Sequence, residues 1–346
     1  MTRDGEPFLP GPVFAAPYHL SGDPAGSEFT YGRYDNPTWR AYERAVGDLE
    51  GGDALVFGSG MGAASTLLMA LLEPGDSIVL PSDAYYNVRQ LAHDLLPYEV
   101  REVPTDTEAV VAAAPGAKLV WVETPSNPGL DVVDIRAVAE ACDGTLVVDN
   151  TLATPLGQRP LELGADFVLV SATKAMSGHS DLLLGYVAGA DLEAVRIARG
   201  KLGTIAGPFE VWLAHRSLAT LSVRLERECA NALRLAELVG EHVPVRYPGL
   251  PSDPAHAIAS RQMDAFGPVI GFTLPTAAAA DEFLRAADLV VEATSFGGTH
   301  TTAERRARWG GDDIPEGWIR LSAGCEEPGE LARDVENALA QALQQA

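Results

Sequence analysis

The sequence predicts an α/β protein: a mostly parallel, seven-stranded sheet covered by helices, then a smaller C-terminal α+β domain. Three observations carry this. From residue 54 to about 190, seven short apolar or β-branched runs alternate with helix-patterned segments, the pattern of βαβ units. The first run ends in a glycine cluster that opens a helix. After about residue 210 the order changes to a long helical stretch, three strand-like pieces and a closing helix.

Residues 1–40 are rich in Pro, Gly and aromatics and show no period, so they read as an arm lying on another surface. The large domain, 41–215, carries the runs "ALVF", "SIVLP", "REVP", "KLVWVE", "GTLVVDN", "DFVLVSAT" and "LLLGYVAG", with helical segments such as "GMGAASTLLMALL" and "DIRAVAEACD" between them. The small domain, 216–346, is entered through "FEVWLAHRSLATLSVRLERECANALRLAELVGEH", which is longer than an ordinary helix. It continues with "PVIGFTLP", "DLVVEATS" and "GWIRLSAG" and closes on the helix "GELARDVENALAQALQQA".

Composition excludes several classes. The 346 residues are 47% hydrophobic and 21% charged, ordinary for a globular enzyme. A net charge of −23 argues against nucleic acid or anionic membrane as partner, since both need basic surface. Cys142, Cys229 and Cys325 are far apart and form no CxxC pattern, so neither a disulfide framework nor a metal site is expected. The N-terminus has no signal-like apolar run, and no run approaches a membrane span, which fits a cytoplasmic protein. Lysine is scarce: Lys118, Lys174 and Lys201 are the three in the chain.

Gly58-x-Gly60-x-x-Ala63, with Asp83 about 20 residues on, fits a dinucleotide fingerprint. It fits a tight turn cradling another phosphate equally well. The residues at the other strand ends separate the two. "KLVWVE" runs into Glu123 and on to Asn127, "GTLVVDN" ends in Asp149-Asn150-Thr151, and "DFVLVSAT" ends in Ser171-Ala172-Thr173-Lys174. Ligands in open α/β sheets sit at these carboxyl ends. A phosphate cradle, a carboxylate, hydroxyls and a lysine suit pyridoxal phosphate, which needs an amine for attachment and an acid at its ring nitrogen. Hydride transfer has no such use for Lys174 together with Asp149.

The motifs "YGRYDNPT", "GSGMGA", "ETPSNP", "VVDNT", "SATKAMSGHSD", "RSLATL", "YPGL" and "IRLSAGCE" follow one another in the order and spacing of the Cys/Met-metabolism pyridoxal-phosphate enzymes, which the chain resembles from about Tyr31 to its end. That resemblance implies the fold-type I architecture. It implies that Lys174 attaches the cofactor and then moves protons, and that Asp149 pairs with the pyridinium. Gly60 and Met61 amides with the Ser171 and Thr173 hydroxyls would hold the phosphate. Tyr85 would stack on the ring and assist proton transfer, and Asn127 would contact the ring hydroxyl. Arg320 would take the substrate carboxylate, with Ser295 and Asn127 beside it. Tyr31 and Arg33 would reach the phosphate of a neighbouring subunit in a homotetramer built as a dimer of dimers, with shared active sites. His179 would hold the loop after Lys174, and Trp212 and Trp318 are expected in the core.

The chain also departs from that pattern. Tyr86-Asn87 stand where the family has glycines, and methionine γ-lyases carry a cysteine at the position of Asn87. Ala175 stands where an aromatic is usual. After "SFGG", Ser295 to Gly298, about ten residues and a glutamate are expected to be missing, which would bring His300 near the substrate's distal end. The activity expected is γ-elimination of cystathionine to cysteine, 2-oxobutanoate and ammonia. The alternatives are γ-replacement on an O-acylhomoserine, β-lyase or methionine γ-lyase activity, and a cofactor-binding regulator without turnover.

Overall fold

A computed structural model describes residues 4, 5, 7 and 9–344. Seven strands form the first sheet: β1 (Asp53–Phe57), β2 (Ser77–Pro81), β3 (Glu99–Val103), β4 (Leu119–Glu123), β5 (Thr145–Asp149), β6 (Phe167–Val170) and β7 (Gly185–Gly189). Their order across the sheet is β1-β7-β6-β5-β4-β2-β3. All pairings are parallel except those of β7, which is antiparallel to both β6 and β1. The two reversals return β1 to the direction of β6. The glycine turn after Phe57 therefore opens on the same edge as the ends of β4, β5 and β6.

Both faces are covered, as a parallel sheet requires. Along β5, Leu146 and Val148 pack with Val79, Val120 and Val122, while Val147 packs on the other face with Leu55, Leu67 and Trp121. The close pairing near the glycine turn needs Gly185, because a Cβ there would lie 2.5 Å from the Ser59 carbonyl oxygen and 2.7 Å from the Gly60 nitrogen.

The second sheet contains β8 (Val245–Arg246), β9 (Val269–Thr273), β10 (Val291–Glu292), β11 (Thr302–Arg305) and β12 (Trp318–Ser322), in the order β10-β11-β12-β9-β8. Helices Leu221–Gly240, Ala277–Ala286 and Pro328–Gln344 close over it, with Leu235, Phe272, Phe283, Ile319 and Leu339 in one core. The long helical stretch is two helices, Pro208–Leu218 and Leu221–Gly240. The break comes where the Ala219 and Thr220 amides turn to i−3 carbonyls and Arg224 donates to the Ser217 carbonyl. Hydrophobic spacing runs through this break, so periodicity alone does not show it.

Trp318 is in the core as expected, at 7% exposure, whereas Trp212 is only half-buried. Trp212 stacks on Phe209 and donates its indole N–H to the Pro10 carbonyl, so the N-terminal segment is pinned to a helix that a core tryptophan could not reach.

Candidate active site

The carboxyl edge of the first sheet and β12 of the second enclose a cavity of about 260 Å³. Gly60, Met61, Tyr85, Asn127, Asp149, Ser171, Thr173, Lys174, Ser295 and Arg320 all line it. Tyr31 and Arg33 do not. Tyr31 is exposed and bridges to Pro17, and Arg33 donates to the Gly200 carbonyl at 2.6 Å.

At one wall, Ser59 caps helix Gly60–Leu71, its Oγ accepting from Gly62 N and its carbonyl from Ala63 N. The Gly60 and Met61 amides belong to the first turn, where no intrahelical acceptor exists. They face Ser171, whose Oγ makes no hydrogen bond among the described residues and would lie 2.9 Å from a Cβ added at Gly60. The result is an anion cradle of amides, hydroxyl and helix dipole. Thr173 lines the same cavity. Its hydroxyl donates to the Leu184 carbonyl (3.2 Å) and accepts from Leu184 N (2.9 Å), so it lines the wall but spends its proton on the backbone.

The centre holds the titratable groups. Asp149 is pushed up to about 6 by burial, against the hydrogen bonds of Thr151 and the charge of Lys174. Its register partner across β4–β5 is Glu123, which burial and the Asp149 charge drive well above the usual carboxylate range. Burial and mutual repulsion thus push both carboxyls of the pair upward, while Lys174 and the Thr151 hydrogen bonds favour the charged form of Asp149. Glu123 also accepts from Tyr85 N at 2.5 Å, which fixes the backbone beneath the Tyr85 ring. The Tyr85 phenol receives the Asn87 amide at 3.0 Å.

Lys174 Nζ donates to Ser295 Oγ at 2.7 Å and lies 5.0 Å from the Phe296 ring centre. Burial, then the Arg320 charge, lowers it to about 8, so an appreciable fraction is free amine near neutrality. Its loop is held from behind, where Arg224 donates to the Ala175 and Met176 carbonyls and Gly297 lies against Ala175 so closely that a Cβ would be 2.5 Å from its nitrogen. His179 Nδ1 stands 2.5 Å from the Ser177 carbonyl within the same loop.

Arg320, 4% exposed, gives Nη1 to Asn127 Oδ1 (2.6 Å) and Nη2 to Glu304 (2.5 Å) and to the Ser295 carbonyl (3.1 Å). Three of its five N–H donors are used, leaving two for a ligand. Ser295 is held at φ +80°, a backbone region that costs a non-glycine residue about 1–3 kcal/mol and persists where the surroundings enforce it. Its carbonyl and hydroxyl serve Arg320 and Lys174 at once.

Glu304 and Arg306 escaped the sequence reading. Glu304 faces Arg320 across β11–β12, and Arg306 lines the cavity. The usable signal was the run "TTAER" next to "WIRLS" as an antiparallel pair. His300, by contrast, is exposed and does not line the cavity. The chain after Gly298 is tied down, with Thr299 N to the Gly178 carbonyl and Thr301 to Glu326, before it enters β11. No group of potential metal ligands occurs among the described residues.

This donor set fits pyridoxal phosphate: an anion cradle, a charged carboxylate and a depressed lysine amine in one cavity. The Cys/Met metabolism PLP-dependent enzyme model matches residues 15–340. A Streptomyces coelicolor protein named "Putative cystathionine gamma-lyase" is 55% identical over 96% of this chain and 89% of its own. The cystathionine gamma-synthase of Mycobacterium tuberculosis is 39% identical over 90% of this chain and 86% of its own. Among solved structures, Xanthomonas oryzae pv. oryzae cystathionine gamma synthase in complex with cystathionine superposes with a TM-score of 0.93, at 34% identity over 98% of this chain and 94% of that one. The fold, the cavity and these likenesses agree: the chain belongs to the Cys/Met metabolism PLP-dependent enzymes.

Proposed function

We propose that this chain is a γ-eliminating carbon–sulfur lyase that converts cystathionine to cysteine, 2-oxobutanoate and ammonia. The observation that carries the reading is one depressed amine, Lys174 Nζ, in the same cavity as a guanidinium for the amino-acid carboxylate, Arg320, and an anion cradle at Gly60 and Ser171. The S. coelicolor relative supports the choice of γ-elimination over the other family activities.

Pyridoxal phosphate, when bound, supplies an electron sink that makes the α-proton of an attached amino acid removable. The residues do the rest. Gly60, Met61 and Ser171 hold the phosphate. Asp149 keeps a proton on the ring nitrogen, and Asn127 offers its amide N–H to the ring while its Oδ1 anchors Arg320. Arg320 holds the α-carboxylate and so presents the Cα proton to Lys174. Lys174 would take that proton, hand it on to the bound group and so become a free amine again, and then take one from Cβ; cysteine would leave from Cγ with a proton from the Tyr85 phenol. One amine serves two adjacent carbons, which demands a substrate held in one conformation.

We further propose a cytoplasmic homotetramer in which Tyr31 and Arg33 complete a neighbour's site; their position away from their own cavity supports this. We also propose a large domain of residues 41–215 and a small domain of 216–346; the helix break at Ala219–Thr220, close to that division, supports this.

Product analysis on cystathionine tests the activity. 2-Oxobutanoate and cysteine are expected. Pyruvate with homocysteine would mean β-elimination, and turnover confined to an O-acylhomoserine plus a thiol would mean γ-replacement; either result overturns the reading.

A further inference from the structure

The cavity has a second guanidinium that the steps above leave unused. Arg306 begins the short turn Arg306–Trp309 after β11, and its side chain, 13% exposed, lines the cavity on the side of Arg320 and Ser295. Its position is built. Nη1 donates to Glu304 at 3.2 Å and Nη2 to Asp312 at 2.5 Å, and both carboxylates are almost wholly buried. Glu304 is also the carboxylate that holds Arg320, so the two cavity guanidiniums are fixed against one hub. Nε of Arg306 is buried and has no acceptor among the described residues. Nε is out of a ligand's reach, but Glu304 and Asp312 take two of the four Nη hydrogens, so the other two are what this cavity-lining cation offers an anion.

The position narrows the ligand. Arg89 donates to the Gly311 carbonyl at 2.9 Å, and Gly311 packs so tightly on Tyr86 that a Cβ would be 2.8 Å from the ring. Residues 306–312 thus link the second sheet to the helix that begins beside Tyr85. Cofactor phosphate belongs at Gly60, and the α-carboxylate at Arg320. The part of a substrate left to meet Arg306 is the far end of its side chain.

We infer that Arg306 is a specificity-determining residue that selects amino acids whose side chain ends in a carboxylate, with Glu304 and Asp312 as its positioning residues. The inference rests on the reading of the cavity as an amino-acid site, and it holds for a thioether substrate and for a carboxylate-ended O-acyl substrate alike.

The test compares wild type, Arg306→Met and Arg306→Lys as cofactor-loaded enzymes. Binding of two unreactive amino acids of equal length, 2-aminoadipate and norleucine, is titrated by the visible spectrum. Turnover is measured on cystathionine and on S-ethylhomocysteine, which lacks the distal carboxylate. In Arg306→Met the binding preference for 2-aminoadipate over norleucine falls about 10- to 100-fold, the range for one lost charge-assisted contact, and the kcat/KM ratio of the two thioethers falls with it, through KM. Arg306→Lys recovers part of both ratios. Common losses that leave the ratios unchanged overturn the inference, because they mark Arg306 as structural. If cystathionine is not turned over but the binding ratio collapses, the γ-lyase reading fails and the role of Arg306 stands.

Discussion

Replacing Glu304 by glutamine removes one charge and almost no volume, which makes it the sharpest probe of the arginine hub. The carboxylate is 1% exposed and accepts from Arg320 (2.5 Å), Trp309 Nε1 (2.8 Å) and Arg306 (3.2 Å). Glutamine keeps one acceptor oxygen, which Arg320 retains. Its amide group then faces the Trp309 N–H, so that bond is lost; Arg320 loses its counter-ion and Arg306 keeps only Asp312. Charge-assisted bonds contribute about 1.5–3 kcal/mol each against about 1 kcal/mol for neutral ones, so the variant is destabilised by about 2–4 kcal/mol. At about 2.1 cal/mol/K per residue, unfolding 346 residues carries roughly 0.7 kcal/mol/K, and the melting temperature falls by about 3–6 °C. The effect depends on pH with a definite sign. Burial raises the Glu304 carboxyl, but Arg320, Trp309 and Arg306 outweigh it and hold the pKa below the usual value. Its stabilisation is therefore complete above the ordinary glutamate pKa of about 4.3 and is lost as pH falls through the lower folded value. The gap between wild type and variant should be full at pH 7 and close in acid. Calorimetry across pH, with KM for an amino-acid substrate expected to rise about tenfold, checks this. A gap under 1 °C at pH 7, or one that widens in acid, refutes the hub.

Three further outcomes follow from the same geometry. In cofactor-free protein, Lys174 should react with an amine reagent with a midpoint near pH 8; because its folded pKa lies below the unfolded one, unfolding free energy should rise with pH from about 8 to the ordinary lysine value, and a midpoint above 10 contradicts the burial argument. Gly60→Ala places a Cβ 2.8 Å from Ser171 Cβ, so the cradle must shift, and it should weaken cofactor binding at least tenfold in equilibrium dialysis; unchanged affinity contradicts the cradle. Mixing Arg33→Ala with Lys174→Ala chains should restore activity, since some mixed pairs hold one intact site; proven mixed pairs without activity would remove the shared-site proposal.

Most of the first sheet was legible because its strands are buried on both faces and read as unbroken apolar runs, and its site residues sit at strand ends where few alternatives exist. Lys174 was legible for a simpler reason, the scarcity of lysine. β11 was not. "TAER" is a short strand whose inward residue is a charged glutamate, so it shows no hydrophobic alternation, and it is recognised only by its partner Arg320. That blind spot hid Glu304 and Arg306 and drew His300 toward the cavity in their stead. Arg224 has no motif of its own kind; it is buried through carbonyls contributed by a loop some 48 residues earlier.

Lys174 is the residue proposed to hold the cofactor, and the three lysines of the chain make the decisive measurement simple. The protein purified with pyridoxal phosphate is reduced with borohydride, digested and mapped by mass spectrometry. The expected result is a yellow protein whose visible band is bleached and whose reduced cofactor adduct lies on the peptide containing Lys174, in stoichiometric yield. An adduct on Lys118 or Lys201, or a colourless protein that takes up no cofactor, would contradict it.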